Sequence, residues 1–429
     1  MFSLKKAAAG VLSCTMLLGS LVISGCSDSN TSGTQSADNT SNGSSTAHQG
    51  EIKDISSVEL VKDMKIGWSL GNTLDGGNES NRGQDPGSIE KSWGNPDTTK
   101  EMIDEIKKAG FNVLRVPTTW DWSTGEAPEY KISDEWFARV KEIVDYGMEN
   151  DMYVILNIHH ETWHDPLEKN YEAASDRLKK VWTQIGNYFK DYDEHLIFEG
   201  LNEPRVRNSD EEWNGGSDAT REVVNKLDAD FVSTIRSLDG NNKLRHLMIP
   251  GYAASSSEVA LKALKIPEND DKLIVSVHAY IPYNFALADN KRSNKWVACK
   301  EGFTNDIDNL ADMLKTLFTD KGQAVIIGEF GARSKDNEKY RAEWAKYYVT
   351  KMKTVGVPCV WWDNGAFIGS GELFGLFDRR NLEWRYPLLK DALISASNGE
   401  YTVDGLKSDT AILDELKKDI AQSKNSSAE

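Results

Sequence analysis

From Met64 onward the chain alternates between two hydrophobic periods. Short runs that are apolar at nearly every position suit strands buried on both faces. They cover Met64 to Leu70, Phe111 to Pro117, Tyr153 to His159, His195 to Leu201, Arg245 to Pro250, Leu273 to His278, Ala324 to Glu329 and Pro358 to Trp362. Between them, apolar residues recur three or four apart, the period of an amphipathic helix. Thr99 to Ala109 places Met102, Ile103 and Ile106 on one face and stops at Gly110, and Asp134 to Glu149 carries Phe137, Val140, Ile143 and Val144. Further helices are expected near 171–191, 219–237, 255–264, 305–319, 336–355 and 384–397. Eight strands alternating with eight helices predict an α/β fold, a (β/α)8 TIM barrel over residues 51–397. The competing architecture, an open doubly wound sheet, would carry a glycine-rich phosphate loop after its first strand, and none follows Leu70.

The expected strands end in polar and aromatic residues on one side only. The first runs into Asn72; the second carries Arg115 and leads to Trp120 and Trp122; the third ends at His159, His160 and Glu161. The fourth gives Asn202 and Glu203, with Pro204 ending the pairing because it has no N–H to donate. The fifth gives Tyr252, the sixth His278 and Tyr280, the seventh Glu329, and the eighth Trp361, Trp362, Asp363 and Asn364. Buried polar groups cost free energy unless paired, so a purely structural barrel would not gather them at one end. The carboxyl ends of barrel strands are where this fold keeps its chemistry.

The chain's ends read differently. Residues 1–26 look like a signal peptide: Lys5 and Lys6 precede the apolar run Ala7 to Ile23, which is too short and small-residue-rich for a membrane span. It closes on Ile23-Ser24-Gly25-Cys26, which resembles a bacterial lipobox with Cys26 as the lipidated residue; an ordinary secretory cleavage site is the alternative. Residues 27–50 are rich in Ser, Thr, Asn and Gly, and read as a flexible linker. Residues 398–429 form a C-terminal extension in which Ile412, Leu416 and Ile420 share a helical face. With Cys14 and Cys26 assigned to export, only Cys299 and Cys359 remain, too few for a disulfide scaffold. A formal net charge of −17 argues against nucleic acid as a partner. An exported, extracellular monomer, tethered to a membrane by a lipid anchor, fits an enzyme that works on something too large to import.

Two short motifs point elsewhere and fail on context. His160-Glu161-Thr162-Trp163-His164 matches the zinc-peptidase pattern, which needs both histidines on one helix face; a strand pattern precedes it and Asp165-Pro166 follows at once. Gly67-Trp68-Ser69-Leu70-Gly71 matches the serine-hydrolase elbow, which needs a helix directly after the serine; a loop from Asn72 to Asn78 follows instead. Glu203 and Glu329 are different, since each sits at the end of a separate strand. Two facing carboxylates suit cleavage of a glycosidic bond, one as acid and one as nucleophile. Arg115 is expected to hold Glu329 ionised, and negative charge near Glu203 to raise its pKa. Trp120, Trp122, Trp163, Trp213 and Trp296 are candidates to line a cleft and Trp362 to stack on the reacting sugar, each weighed against plain core packing.

These segments carry a resemblance. Gly71 to Asp75, Trp93 to Pro96, Gly110 to Pro117, Asn157 to Glu161, Phe198 to Arg205, Val275 to Tyr280, Ile327 to Gly331 and Trp361 to Gly365 resemble glycoside hydrolase family 5, and specifically its subfamily 4 endoglucanases, over nearly the whole barrel. The resemblance implies a retaining endo-β-1,4-glucanase with Glu203 as acid/base and Glu329 as nucleophile, and with no metal or other cofactor in the reaction. Arg115, His159, Asn202, His278, Tyr280 and Trp362 would complete the active site, and Asn72 and His160 would line the cleft. It implies a β-glucan polysaccharide as substrate, with a xyloglucan- or mixed-linkage-preferring enzyme as the near alternative. A glycan-binding surface lipoprotein without catalysis is the remote one.

Overall fold

The computed structural model describes residues 48–414 and Lys417, so the expected signal peptide, Cys26, most of the linker, and Leu416 and Ile420 lie outside the described residues. Eight parallel strands close into a barrel in sequence order. They are β1 (Ile66–Leu70), β2 (Val113–Val116), β3 (Tyr153–Asn157), β4 (Leu196–Glu199), β5 (Leu247–Ser255), β6 (Leu273–His278), β7 (Ala324–Phe330) and β8 (Cys359–Asp363). The expected (β/α)8 barrel is therefore what the chain forms.

The barrel interior is layered by the two-residue period of its strands. Val113, Ile155, Ile197, Met248, Ile274, Ala324, Ile326 and Val360 make one apolar layer. Leu60, Val61 and Met64 plug it from below, on and just after the helix Ser57–Asp63, which is started by a Ser56–Glu59 capping box. Two residues further along, those strands place Arg115, Asn157, Glu199 and Ser276, and β1 adds Ser69, all buried. The outward faces of the strands pack instead against the helices, as Phe198 does against Trp182, which in turn packs on Phe231. That contact is close at Gly200, where an added Cβ would sit 2.5 Å from the Phe231 ring.

The seam between β1 and β8 is fastened by Asp363. Its Oδ2 accepts from Trp68 Nε1 at 2.9 Å and from the backbone N–H groups of Leu376 at 3.0 Å and Phe377 at 2.9 Å, while Oδ1 accepts from Gly365 N at 2.8 Å. Arg379 lies 3.5 Å from the same carboxylate and lies over the Trp68 ring.

Several element boundaries differ from those the pattern predicts. β5 runs on to Ser255 through an irregular stretch in which Ala253 and Ala254 adopt left-handed φ of 55° and 46°. The next helix consequently starts only at Glu258, not 255. The last barrel helix is Pro387–Ser397, because Glu383–Trp384 pairs with Phe377–Asp378 as a small antiparallel ladder. In the C-terminal extension a short helix, Val403–Ser408, docks through a Lys407–Asp308 ion pair of 2.8 Å, and Ile412 is buried beyond it. Cys299 and Cys359 are free thiols.

Replacing Asp363 by Ala removes a buried acceptor of four donors and the largest counter-charge on buried Arg379. The expected loss of unfolding free energy is about 3–5 kcal/mol, read from urea unfolding against wild type. A loss below about 1 kcal/mol, the scale of a surface ion pair, would show that closure does not depend on this group.

Candidate active site

The polar layer and the strand ends above it converge on one guanidinium. Arg115, fully buried on β2, donates from Nε to Glu199 Oε2 at 2.9 Å, from Nη1 to Glu329 Oε1 at 2.7 Å and from Nη2 to Asn202 Oδ1 at 2.7 Å. Burial alone would lower its pKa, but the charges of Glu199 and Glu329 outweigh that and keep it protonated. Glu199 is in turn held by Asn157 Nδ2 at 2.9 Å and Ser276 Oγ at 2.6 Å. Its importance is missed by reading the fourth strand as uniformly apolar, although the two-residue step from inward Ile197 marks it.

Glu203 and Glu329 face each other across this layer. Glu329 accepts from Tyr280 Oη at 2.9 Å on its second oxygen. Glu203 Oε1 meets His278 Nδ1 at 2.9 Å, and the same nitrogen lies 3.6 Å from Glu329 Oε2. Oxygens of the two carboxylates lie within 4.8 Å of one another. Arg205 reaches the other oxygen of Glu203 at 3.3 Å.

The expected upward shift of Glu203 is overturned. Burial does push its carboxyl up, but the hydrogen bond and charge of His278, with Arg205 and His160, outweigh burial and hold it below the ordinary 4.5. His278 moves the opposite way: burial lowers it, and the charge of Glu329 with the bond and charge of Glu203 raise it above 6.5. Its Nε2 is buried without a partner. Tyr280 is raised well above 10.0 by burial and then by the charge of Glu329, so its hydroxyl stays a donor.

The remaining expected residues gather around this centre. Trp362 lies parallel to His159, with ring centroids 5.8 Å apart and planes 4° apart. Its ring rests on Gly71, where an added Cβ would come 2.7 Å from it. His159 Nδ1 meets Asn157 Nδ2 at 3.0 Å, and burial together with neighbouring His160 holds its pKa well below 6.5. Asn72 takes a left-handed φ of 56° over Asp75, which accepts its backbone N–H at 3.0 Å. His160 packs against the exposed Trp93 at 5.6 Å. Glu372, on the loop after β8, is a further carboxyl the strand-end census did not reach; burial raises its pKa against the pull of Arg333.

Some expectations resolve into structure. Trp120 and Trp296 are core residues whose indole N–H groups donate to the carbonyls of Asn157 and Phe303, and Trp122 is buried as well. Trp163 is half-buried under Arg177, while Trp213 is 62% exposed beneath the Arg205 guanidinium. Tyr252 turns inward, accepting from Val206 N and donating to the Glu211 carbonyl. His160 to His164 is not helical; Glu161 instead accepts from Trp120 N and Trp163 Nε1, and burial pushes its carboxyl up to about 8. Ser69 lies within β1, with a loop after it.

Carboxylates this close, at the carboxyl-terminal mouth of a parallel barrel, suit a glycosidase of the retaining kind, whose carboxyl groups stand about 5–5.5 Å apart. The cellulase family, glycosyl hydrolase family 5, matches residues 77–367. The chain is 49% identical over 347 residues to endoglucanase B of Neocallimastix patriciarum, covering 80% of this chain and 72% of that protein. Among solved structures it resembles a GH5-4 broad specificity endoglucanase from Ruminococcus champanellensis with bound cellotriose, with a TM-score of 0.77, 42% identity, and coverage of 80% of this chain and 99% of that one. A family 5 lichenase from Caldicellulosiruptor sp. F32 superposes with a TM-score of 0.76 at 43% identity, over 81% of this chain and 97% of that one. The chain belongs to glycoside hydrolase family 5 and is an endoglucanase of that family.

The Glu203–His278 pair sets a pH window. The His278 contribution to stability is fully present below 6.5 and is lost as pH rises through its raised folded value. The Glu203 contribution is present above 4.5 and is lost as pH falls through its depressed folded value. Melting temperatures measured from about pH 4 to 9 are therefore expected to peak between the two, and His278→Asn to flatten the alkaline fall. An alkaline limb unchanged in that variant would mean other groups set it.

Proposed function

We propose that Glu329 is the nucleophile and Glu203 the general acid/base of a double displacement that cleaves internal β-1,4-glucosidic bonds. The single observation that carries this is the asymmetry of two neighbouring carboxylates, one on a guanidinium and one on a histidine. Arg115 cannot give up its charge, so Glu329 faces a fixed cation and a tyrosine donor, and stays an anion able to attack the anomeric carbon. Glu203 shares a titratable proton with His278. When a sugar displaces water from the cleft, the charged form of that pair loses solvation, and the proton moves toward Glu203, where the leaving oxygen needs it. In the second step the same carboxylate takes a proton from water.

The supporting residues divide the substrate between them. Asn202 turns its carbonyl oxygen to Arg115, which leaves its amide N–H groups for a sugar hydroxyl. Trp362 offers an aromatic face to the reacting ring, and exposed Trp93 and Trp213 extend the platform along the mouth. Asn72, His159 and His160 line the same side. A β-1,4-glucan such as cellulose is the leading substrate. A mixed-linkage glucan is the second reading, favoured by the likeness to a lichenase at 43% identity.

The test is a panel of carboxymethyl cellulose, barley β-glucan, xyloglucan, xylan and mannan, with viscosity and reducing ends followed together. Fast viscosity loss on the glucans is expected, and the ranking assigns the preference. Glu203→Gln is expected to lower kcat by roughly 10²–10⁴-fold on polymers; with a good leaving group the first step is spared, giving a burst of leaving group followed by slow turnover. Glu329→Gln should lose turnover on both kinds with its fold retained, read by circular dichroism. Near-normal turnover in Glu329→Gln would sink the mechanism.

We also propose that the chain is exported and held at a membrane by a lipid on Cys26, with residues 27–50 as tether. The support is the run Ile23-Ser24-Gly25-Cys26 after a charged start and an apolar stretch. Cys26→Ser is expected to move the enzyme from the membrane pellet to the soluble fraction. An unchanged distribution would favour plain secretion or another anchor.

A further inference from the structure

At the amino-terminal end of the barrel, opposite the catalytic mouth, two histidines and two aspartates form a cluster that hydrolysis does not use. His48 precedes the barrel, Asp151 sits in the turn before β3, and His195 immediately precedes β4. Asp193 receives His48 Nδ1 on one oxygen at 2.9 Å and His195 Nδ1 on the other at 3.0 Å. A carboxylate only accepts hydrogen bonds, so each ring carries its proton on Nδ1 and leaves the Nε2 lone pair for another partner. Both Nε2 atoms face Asp151 Oδ1, at 3.4 Å from His48 and 3.8 Å from His195. The rings are themselves fixed: they pack together at 4.3 Å, and Tyr153 stacks on His195 at 4.8 Å.

We propose that His48 Nε2, His195 Nε2 and Asp151 Oδ1 are the ligands of a structural divalent transition-metal site, zinc being the fitting ion. Three arguments converge on it. Bonds of about 2.0–2.1 Å to nitrogen and oxygen place neighbouring ligands of a tetrahedral ion about 3.3–3.4 Å apart, near the spacings seen here and too long for good hydrogen bonds. A carboxylate that holds the far nitrogen of each imidazole is the usual support for a metal-bound histidine, fixing tautomer and ring direction. The charges also balance, since Asp151 and Asp193 offset the ion and both rings stay neutral. Asp151 is open to solvent, which leaves a fourth position for water.

The surrounding charges do not compete for the site. Lys53 is paired with Glu194 at 2.7 Å, and Lys107 donates to the Asp151 backbone carbonyl at 2.7 Å, steadying the turn. Backbone bonds already join this segment to the barrel, from Gly50 N to Asp191 O and from Asp193 N to His48 O. A metal would turn that contact into a clasp where the linker meets the barrel.

The experiment uses the full-length chain, stripped with chelator and titrated with zinc chloride, with calorimetry and thermal melting as readouts. Binding through the cluster raises the melting temperature of the wild type. Asp151→Asn keeps the left-handed turn, φ 51°, which Asn tolerates. It is expected to weaken zinc binding by at least the roughly tenfold that even a supporting group contributes. His48→Gln, at the edge of the fold, should do the same, and circular dichroism confirms that both variants fold. Hydrolysis of β-glucan at room temperature should be the same with and without EDTA. No zinc uptake, or uptake and stabilisation equal in wild type and both variants, overturns the site. Zinc that binds both variants and inhibits hydrolysis is in the cleft instead, and also overturns it.

Discussion

The structure depends on the guanidinium of Arg115. Placing a charge at the centre of a barrel is costly unless every donor is matched. Here the acceptors come from different strands: Glu199 on β4, Asn202 just beyond it, and Glu329 on β7. An ammonium in the same place would be a single point charge and could not address three directions at once. Arg115 thus fixes the relative positions of β2, β4 and β7 at the level where the barrel opens. The position of Glu329, the proposed nucleophile, is a consequence of that arrangement.

The barrel separates stability from chemistry along its axis. The apolar layer and the helix beneath it supply burial without polar cost. One residue pair higher, the strands switch to Arg115, Asn157, Glu199 and Ser276, which are affordable only as a connected network. Asp363 does for the β1–β8 seam what Arg115 does for the mouth, gathering donors from an indole and three backbone groups. A site mounted on closed strands needs no loop motion to bring Glu203 and Glu329 together.

Most of this was legible because strand-end chemistry follows the chain's own period. Eight apolar runs with polar ends are enough to predict the barrel and to name Arg115, Asn202, Glu203, His278 and Glu329. What was not legible has physical reasons. Glu199 lies inside an apolar run, and its partners come from other strands. Asp363 reads as another mouth residue, since nothing in its local sequence shows that it points to Trp68. Trp120 and Trp296 have the same residue type as a platform tryptophan, and only burial separates them. The downward shift of Glu203 needs the 2.9 Å contact with His278, which counting charges along a sequence cannot supply.

That shift bears on how the two carboxylates are told apart. Two like charges within 4.8 Å disfavour double ionisation, and one conventional outcome is that the general acid keeps its proton on its own oxygen. In this barrel a third group intervenes: His278 Nδ1 lies 2.9 Å from Glu203 and 3.6 Å from Glu329. Glu203 and His278 shift in opposite directions through one hydrogen bond, so the proton belongs to that pair rather than to Glu203 alone. Arg115 holds Glu329 by a charge-assisted hydrogen bond of 2.7 Å, which leaves Glu203 as the nearer carboxylate partner of His278. Loss of water from the cleft then favours the neutral arrangement, with the proton on Glu203 and the imidazole uncharged. On the mechanism proposed above, the arrival of substrate arms Glu203 as the acid, with its proton drawn from one hydrogen bond away.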